Sequence, residues 1–170
     1  MNYKNLEILT ISIILLIVIY FIYKKYFKKE NYIDVEGNEV NELDLTGCFN
    51  LTYLDCSRNN ISSLDFSDCT ELDDLICDDN AMTSFDLKAC TKLRLLWIYY
   101  NQLSSIDLSN NKALVAVDIS DCGLTNINLA GLSVLEDLYL EDNNLTSVDV
   151  SSCSSLTNLF VNGNNIQTLN

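Results

Sequence analysis

"LTYLDCSRNNISSLDFSDCTE" occupies residues 51–71, and "LDDLICDDNAMTSFDLKACTK" follows at 72–92. The two stretches keep leucine, cysteine, asparagine and aspartate in register while the positions between them change freely. Working outward from this pair, the register holds for six units of 21 residues without an insertion. Leu51, Leu72, Leu93, Leu114, Leu135 and Leu156 open the units. Three residues on stand Leu54, Leu75, Leu96, Val117, Leu138 and Leu159, and two further on Cys56, Cys77, Ile98, Ile119, Leu140 and Val161. Asn59, Asn80, Asn101, Cys122, Asn143 and Asn164 come next, then Ile61, Met82, Leu103, Leu124, Leu145 and Ile166. A fixed period of this length marks a repeat architecture, in which each unit buries its apolar side only by stacking on its neighbours.

The second half of each unit carries a near-copy of the first. Leu64-Asp65-Phe66, Phe85-Asp86-Leu87, Ile106-Asp107-Leu108, Ile127-Asn128-Leu129 and Val148-Asp149-Val150 are again apolar, polar, apolar. Cys69, Cys90, Asn111, Leu132 and Cys153 follow them, and a half-unit, Leu43-Asp44-Leu45 with Cys48, opens the series. The pattern L-x-x-L-x-L-x-x-N-x-L resembles the leucine-rich-repeat family. The nested form is similar to the bacterial 21-residue class called IRREKO. The resemblance covers residues 43–170 and implies a right-handed solenoid of parallel short strands with little helix. It says little about function, because one fold hosts many functions.

Ahead of the repeats, Ile8–Tyr23 reads "ILTISIILLIVIYFIY" and carries no charge. Sixteen helical residues reach about 24 Å, and Leu6 with Tyr26 and Phe27 extends the run toward the roughly 20 residues a bilayer needs. Most of the positive charge follows the run and no A-x-A site appears, unlike a cleaved signal peptide. The expectation is a single N-terminal transmembrane helix over about residues 6–23, within a basic anchor at 1–29. Residues 30–42 are a linker able to supply a capping strand, and 43–170 are the repeat domain. Lys24, Lys25, Lys28 and Lys29 follow the span, which places the repeat domain in the cytoplasm by the positive-inside rule. The expected localisation is therefore single-pass membrane.

The formal net charge of −14 hides an asymmetry. Residues 1–29 hold five lysines against Glu7, or +4; residues 30–170 hold five cations against 23 acids, or −18. So acidic a domain is repelled by nucleic-acid phosphates and suits a basic partner. Histidine is absent, which removes the commonest general base and metal ligand.

Seven cysteines are an odd number, and the repeat gives each an inward or corner place. Parallel side chains on stacked strands do not aim at one another as a disulfide requires. Free buried thiols agree with a reducing compartment. A metal site on stacked Cys48, Cys69 and Cys90 is the alternative, and it lacks a fourth ligand. No cofactor is expected.

Asp44, Asp65, Asp86, Asp107 and Asp149 form an outward ladder. Five carboxylates in a row can bind calcium through oxygen. The simpler reading is that each accepts hydrogen bonds from nearby Ser or Thr, such as Ser63 and Ser67 or Ser105 and Ser109. The turn asparagines should face inward and bond neighbouring backbone, as the resemblance implies. The sequons at Asn50, Asn60 and Asn144 fall at recurrent repeat positions and read as by-products of the repeat.

In a solenoid, information about partners sits at the outward strand positions. Those flanking the inward leucines bring Ile76, Trp97, Tyr99, Tyr100 and Tyr139 to one face, with Phe160 beyond. Asp74, Asp78, Asp79, Asp118, Asp121, Asp137, Glu141 and Asp142 surround them. Apolar surface rimmed by charge marks a binding site, and Trp and Tyr are enriched at energetic hot spots. The expected function is a membrane-tethered module that binds a basic protein or peptide. The alternative is a structural or self-assembling repeat without a dedicated partner. An enzyme is not expected: carboxylates such as Asp74 and Asp78 on an open sheet lack the burial that tunes a catalytic pKa.

Overall fold

The structure, a computed structural model, describes residues 31–169. Eleven short strands follow one another with no helix between them among the described residues. Seven form one parallel sheet: β1 (Tyr32–Asp34), β2 (Tyr53–Asp55), β3 (Asp74–Ile76), β4 (Leu95–Trp97), β6 (Ala116–Asp118), β8 (Asp137–Tyr139) and β10 (Asn158–Phe160), in that order. Each strand pairs with the residue 21 positions on, so Leu54 lies opposite Leu75, Leu75 opposite Leu96, and Leu96 opposite Val117. The ladder continues past the strand ends, with the amides of Cys56, Cys77, Ile98, Ile119 and Leu140 donating to the next unit.

The second half-units pair only late in the chain. β5 (Ser105–Asp107) pairs with β7 (Asn126–Asn128), and β9 (Ser147–Val148) with β11 (Thr168–Leu169). Earlier half-units run past each other without strand pairing.

The inward leucine columns make the core. Leu54, Leu75, Leu96, Val117 and Leu138 are fully buried, as are Cys56, Cys77, Ile98, Ile119 and Leu140 beside them. Each such side chain contributes roughly 1.5–3 kcal/mol by leaving water. The half-unit corners are tight: Cys48, Cys69, Cys90 and Cys153 donate their amides to the carbonyls three residues back, at 2.8–3.0 Å. A small side chain fits there. Asn111, in the same column, gives its amide hydrogens to Leu87 and Cys90 carbonyls at 2.9 Å, while its buried Oδ1 has no partner.

The turn asparagines point inward as expected and tie each unit to the one before it. Asn101 Nδ2 donates to Cys77 O and Ile98 O at 2.9 Å, and its Oδ1 accepts from Met82 N at 3.0 Å. Asn59, Asn80, Asn143 and Asn164 repeat the arrangement. At Cys122 only the donor half survives, the thiol reaching Ile98 O at 3.2 Å.

The stretch 30–42, read as a linker able to supply a capping strand, carries β1, which joins the main sheet. Ile33, Val35 and Val40 pack on the core in phase with Leu54, Cys56 and Ile61. The membrane span expected over about residues 6–23 lies outside the described residues. No helix among the described residues is long and apolar enough to cross a membrane.

Candidate functional site

Outward residues of the main sheet fall into columns that run from unit to unit. One holds Ile76, Trp97, Asp118, Tyr139 and Phe160 in direct register. Strands lie about 4.8 Å apart, so Asp118 separates Trp97 from Tyr139 by about 10 Å. The aromatic face is therefore two patches. Tyr139 and Phe160 stack with centroids 4.9 Å apart and planes 4° from parallel. The other patch joins Ile76 and Trp97 to Tyr99 and Tyr100, whose rings meet edge to face at 5.5 Å. Trp97 is 39% exposed and Tyr100 56%, while Tyr99 and Ile76 are half-buried.

Beside the second patch lies an open depression of about 510 Å³ over β1–β4. Trp97, Tyr99, Tyr100 and Ile76 wall one side, and Glu36, Asp55, Asp78 and Asp79 supply carboxylates. Asp78 was expected on an exposed rim. Instead it is only 6% exposed, with the Tyr99 hydroxyl against its carboxyl. Burial raises its carboxyl above the ordinary value, and a hydrogen bond from Tyr99 partly offsets this. Burial, then the facing Asp78 charge, pushes the Tyr99 hydroxyl up to about 12. Asp55, 8% exposed, accepts from Ser57 N at 3.0 Å and Ser57 Oγ at 2.6 Å. Arg58 is the one cation in the lining, and it pairs with Glu36.

The other expected rim residues keep their places. Asp79 and Asp142 are exposed; Asp74, Asp118, Asp121, Asp137 and Glu141 are half-buried. Burial, then Asp73, raises Asp74, and burial, then Asp142 and Asp118, raises Asp121. Asp74 does not line the depression, so Asp74 and Asp78 do not act as one pair there. The column of Arg58, Asp79, Tyr100, Asp121 and Asp142 has φ of 50–53°, in the left-handed region. Gly37 and Gly163 hold its two ends. The conformation costs a residue with a Cβ roughly 1–2 kcal/mol. Each unit meets that cost to turn out of its strand.

On the opposite side the aspartate ladder caps turns. Asp44, Asp65, Asp86, Asp107 and Asp149 accept from the backbone amide two residues on, at 2.9–3.3 Å. Ser67 and Ser109 are such partners. Hydroxyl bonds from Thr46, Ser109 and Ser151, then their backbone amides, hold Asp44, Asp107 and Asp149 below the ordinary carboxylate value, and the amide and then the hydroxyl of Ser67 do so for Asp65. Among the described residues, the one group of three potential ligands within 4.8 Å of one another is elsewhere: Asp34, Glu36 and Asp55. Glu36 is paired with Arg58 and Asp55 with Ser57, so the protein itself satisfies most of that cluster. The spacing of the stretch 33–40 could have placed Asp34 and Glu36 on this face, had its phase with the repeats been followed.

The seven cysteines are free, six of them buried. Burial pushes Cys69 and Cys122 up to about 12 and Cys90 to about 11.

No protein-family model and no curated protein matches the sequence. Solved structures do. The functional domain of InlJ from Listeria monocytogenes, described as including a cysteine ladder, superposes with a TM-score of 0.80 at 32% identity, over 82% of this chain and 32% of that one. A leucine-rich-repeat protein of Leptospira interrogans gives a TM-score of 0.63 at 19% identity, over 80% of this chain and 44% of that one. The chain thus spans about a third of the first neighbour and under half of the second.

Proposed function

We propose that this bacterial-type leucine-rich-repeat protein is a membrane-tethered interaction module whose strand face takes a basic protein or peptide. The observation that carries the reading is the exposed Trp97, set among Ile76, Tyr99 and Tyr100 beside a depression with four carboxylates and one arginine. Apolar area at the centre supplies the desolvated contact. Carboxylates around it, with Asp118, Asp121, Glu141 and Asp142 further along, steer a Lys- or Arg-rich partner and set the association rate. The uncharged Ile8–Tyr23 run supports the tether, and the four lysines after it support a cytoplasmic repeat domain.

Calorimetric titration of the full chain with a nona-lysine peptide tests the reading. Binding should weaken steeply with salt, since the attraction between exposed charges is screened. Trp97→Ala in a folded protein should weaken it about thirtyfold, as loss of a hot spot does. Retained affinity after loss of Trp97, Tyr99 and Tyr100 together would remove this face from consideration and favour the structural alternative.

A further inference from the structure

The depression over β1–β4 differs from the rest of the acidic face in one respect. Its floor holds two carboxylates that folding has taken out of water, Asp55 and Asp78. Asp55 has its charge met by Ser57, through both amide and hydroxyl. Asp78 is bonded by the Tyr99 hydroxyl and by its own backbone amide, both neutral donors. A neutral phenol leaves a carboxylate's remaining lone pairs free to accept a stronger, charged donor. Beside Asp78 stands Trp97, whose indole is the largest exposed π surface in the lining.

The charges in this recess do not balance. Glu36, Asp55, Asp78 and Asp79 face Arg58 alone, leaving −3 in the lining. Arg58 is committed to Glu36 on the far wall. A guanidinium can stack flat on an indole while its edge donates two parallel hydrogen bonds to a carboxylate, which an ammonium cannot do.

We propose that the depression seats one arginine side chain of the basic partner, its guanidinium lying over Trp97 and paired with Asp78. This rests on the reading of the face as a site for a basic partner and narrows it to one residue type and one anchor. Tyr99 is a positioning residue: its hydroxyl holds the Asp78 carboxylate toward the recess. Arg58 is the like charge that an incoming guanidinium meets, so it opposes binding.

Trp97 is the single tryptophan of the chain, so its fluorescence and indole N–H resonance report on this recess. The experiment titrates the full chain, in a neutral detergent, with nona-arginine, nona-lysine and N-acetyl-arginine methylamide. Nona-arginine should bind at least about fivefold more tightly than nona-lysine, and the single-arginine probe should shift the Trp97 indole resonance. Asp78→Asn, which keeps the side-chain shape, should weaken nona-arginine about tenfold and erase most of its advantage over nona-lysine. Asp65→Asn, at an exposed half-unit turn on the opposite side of the solenoid, should change it less than twofold. Arg58→Gln should tighten nona-arginine about threefold.

Equal affinity for the two peptides, or an unchanged affinity in Asp78→Asn, overturns the arginine seat. If Trp97→Ala still weakens both peptides in that case, the basic-partner face stands without it. If neither peptide binds at low salt, both ideas fall together. Weaker binding in Arg58→Gln would make Arg58 a contact rather than an opposing charge. Should Asp78→Asn unfold, Tyr99→Phe provides the second arm, with a weakening of about threefold confined to nona-arginine as the expected result and no change as the refuting one.

Discussion

Cys122 offers a test of the inward ladder that runs in the unusual direction, toward higher stability. In five turns an asparagine Oδ1 accepts from a backbone amide of the preceding unit. The amides are those of Val40, Ile61, Met82, Leu124 and Leu145, at 2.8–3.0 Å. By the same register the amide of Leu103 falls to residue 122, where a thiol stands. Cys122 Sγ already gives its proton to Ile98 O, and sulfur is a weak acceptor. Cys122→Asn would restore an oxygen for the Leu103 amide and keep a donor for Ile98 O. A buried donor without a partner costs about 1–3 kcal/mol. Fixing a longer polar side chain takes back part of that, which leaves an expected net gain of about 1 kcal/mol. For a chain of this size that is a rise of about 2–4 °C in Tm. Urea unfolding by circular dichroism should show the gain as a higher midpoint with an unchanged slope. Cys122→Ala, which lacks donor and acceptor alike, should lose about 1–2 kcal/mol. A Cys122→Asn protein no more stable than Cys122→Ala would refute the reasoning, because it would mean that the Leu103 amide does not look to residue 122.

Asn101→Ala should lower stability by about 1–3 kcal/mol, since Met82 N and the Cys77 carbonyl lose their side-chain partner. The exposed Asn110→Ala should stay within about 0.5 kcal/mol on the same urea curves. Gly163→Ala should cost about 1–2 kcal/mol: an added Cβ would run into the Asp142 carboxylate, at a φ of 69°. A stability profile against pH should peak on the acid side of neutral. Asp74, Asp78 and Asp121 have raised values, so their contribution is lost as pH climbs through those values. Asp44, Asp65, Asp107 and Asp149 have lowered values, so theirs is lost as pH falls through them. Stability that keeps rising from pH 5 to 8 would contradict this. For the tether, protease added to intact cells should spare residues 30–170, and rapid digestion would reverse the proposed orientation.

The repeat was legible because packing repeats its demands. Leu54, Leu75 and Leu96 occupy one environment three times over, so each reports on the others and the period emerges without any single position being decisive. The same logic made Asn59, Asn80 and Asn101 readable as inward turn residues. What escaped was information that repeats less cleanly. The stretch 33–40 has Ile, Val and Val where later units have Leu, Cys and Ile, and its Asn38 is exposed. It therefore reads as a linker able to supply a capping strand, and its phase with the repeats shows only once β1 is seen in the sheet. Alternation correctly sends Asp78 outward, but it cannot show that Asp78 ends up buried against Tyr99. That Asp118 interrupts the aromatic column does follow from the 21-residue register, which sets it between Trp97 and Tyr139. Burial on an outer face depends on the neighbours two strands across, which a single unit does not encode.

One residue type ends up with two physical characters on the two sides of this solenoid. At the half-unit turns, Asp65 and Asp107 are exposed and held ionised by the amides and hydroxyls of Ser67 and Ser109, so their negative ends are spent within the protein. On the strand face, Asp78 is buried against Tyr99 and its ionised form is disfavoured by that burial. A carboxylate in the first state gains little from an external cation, which must compete with water and with the turn amide. One in the second state gains more, because an arriving guanidinium replaces hydration that folding has already removed. Charge count alone would make both sides equally attractive to a basic partner. The difference in burial makes the β1–β4 recess the place where a cation restores the most favourable interaction, and Trp97 stands beside it.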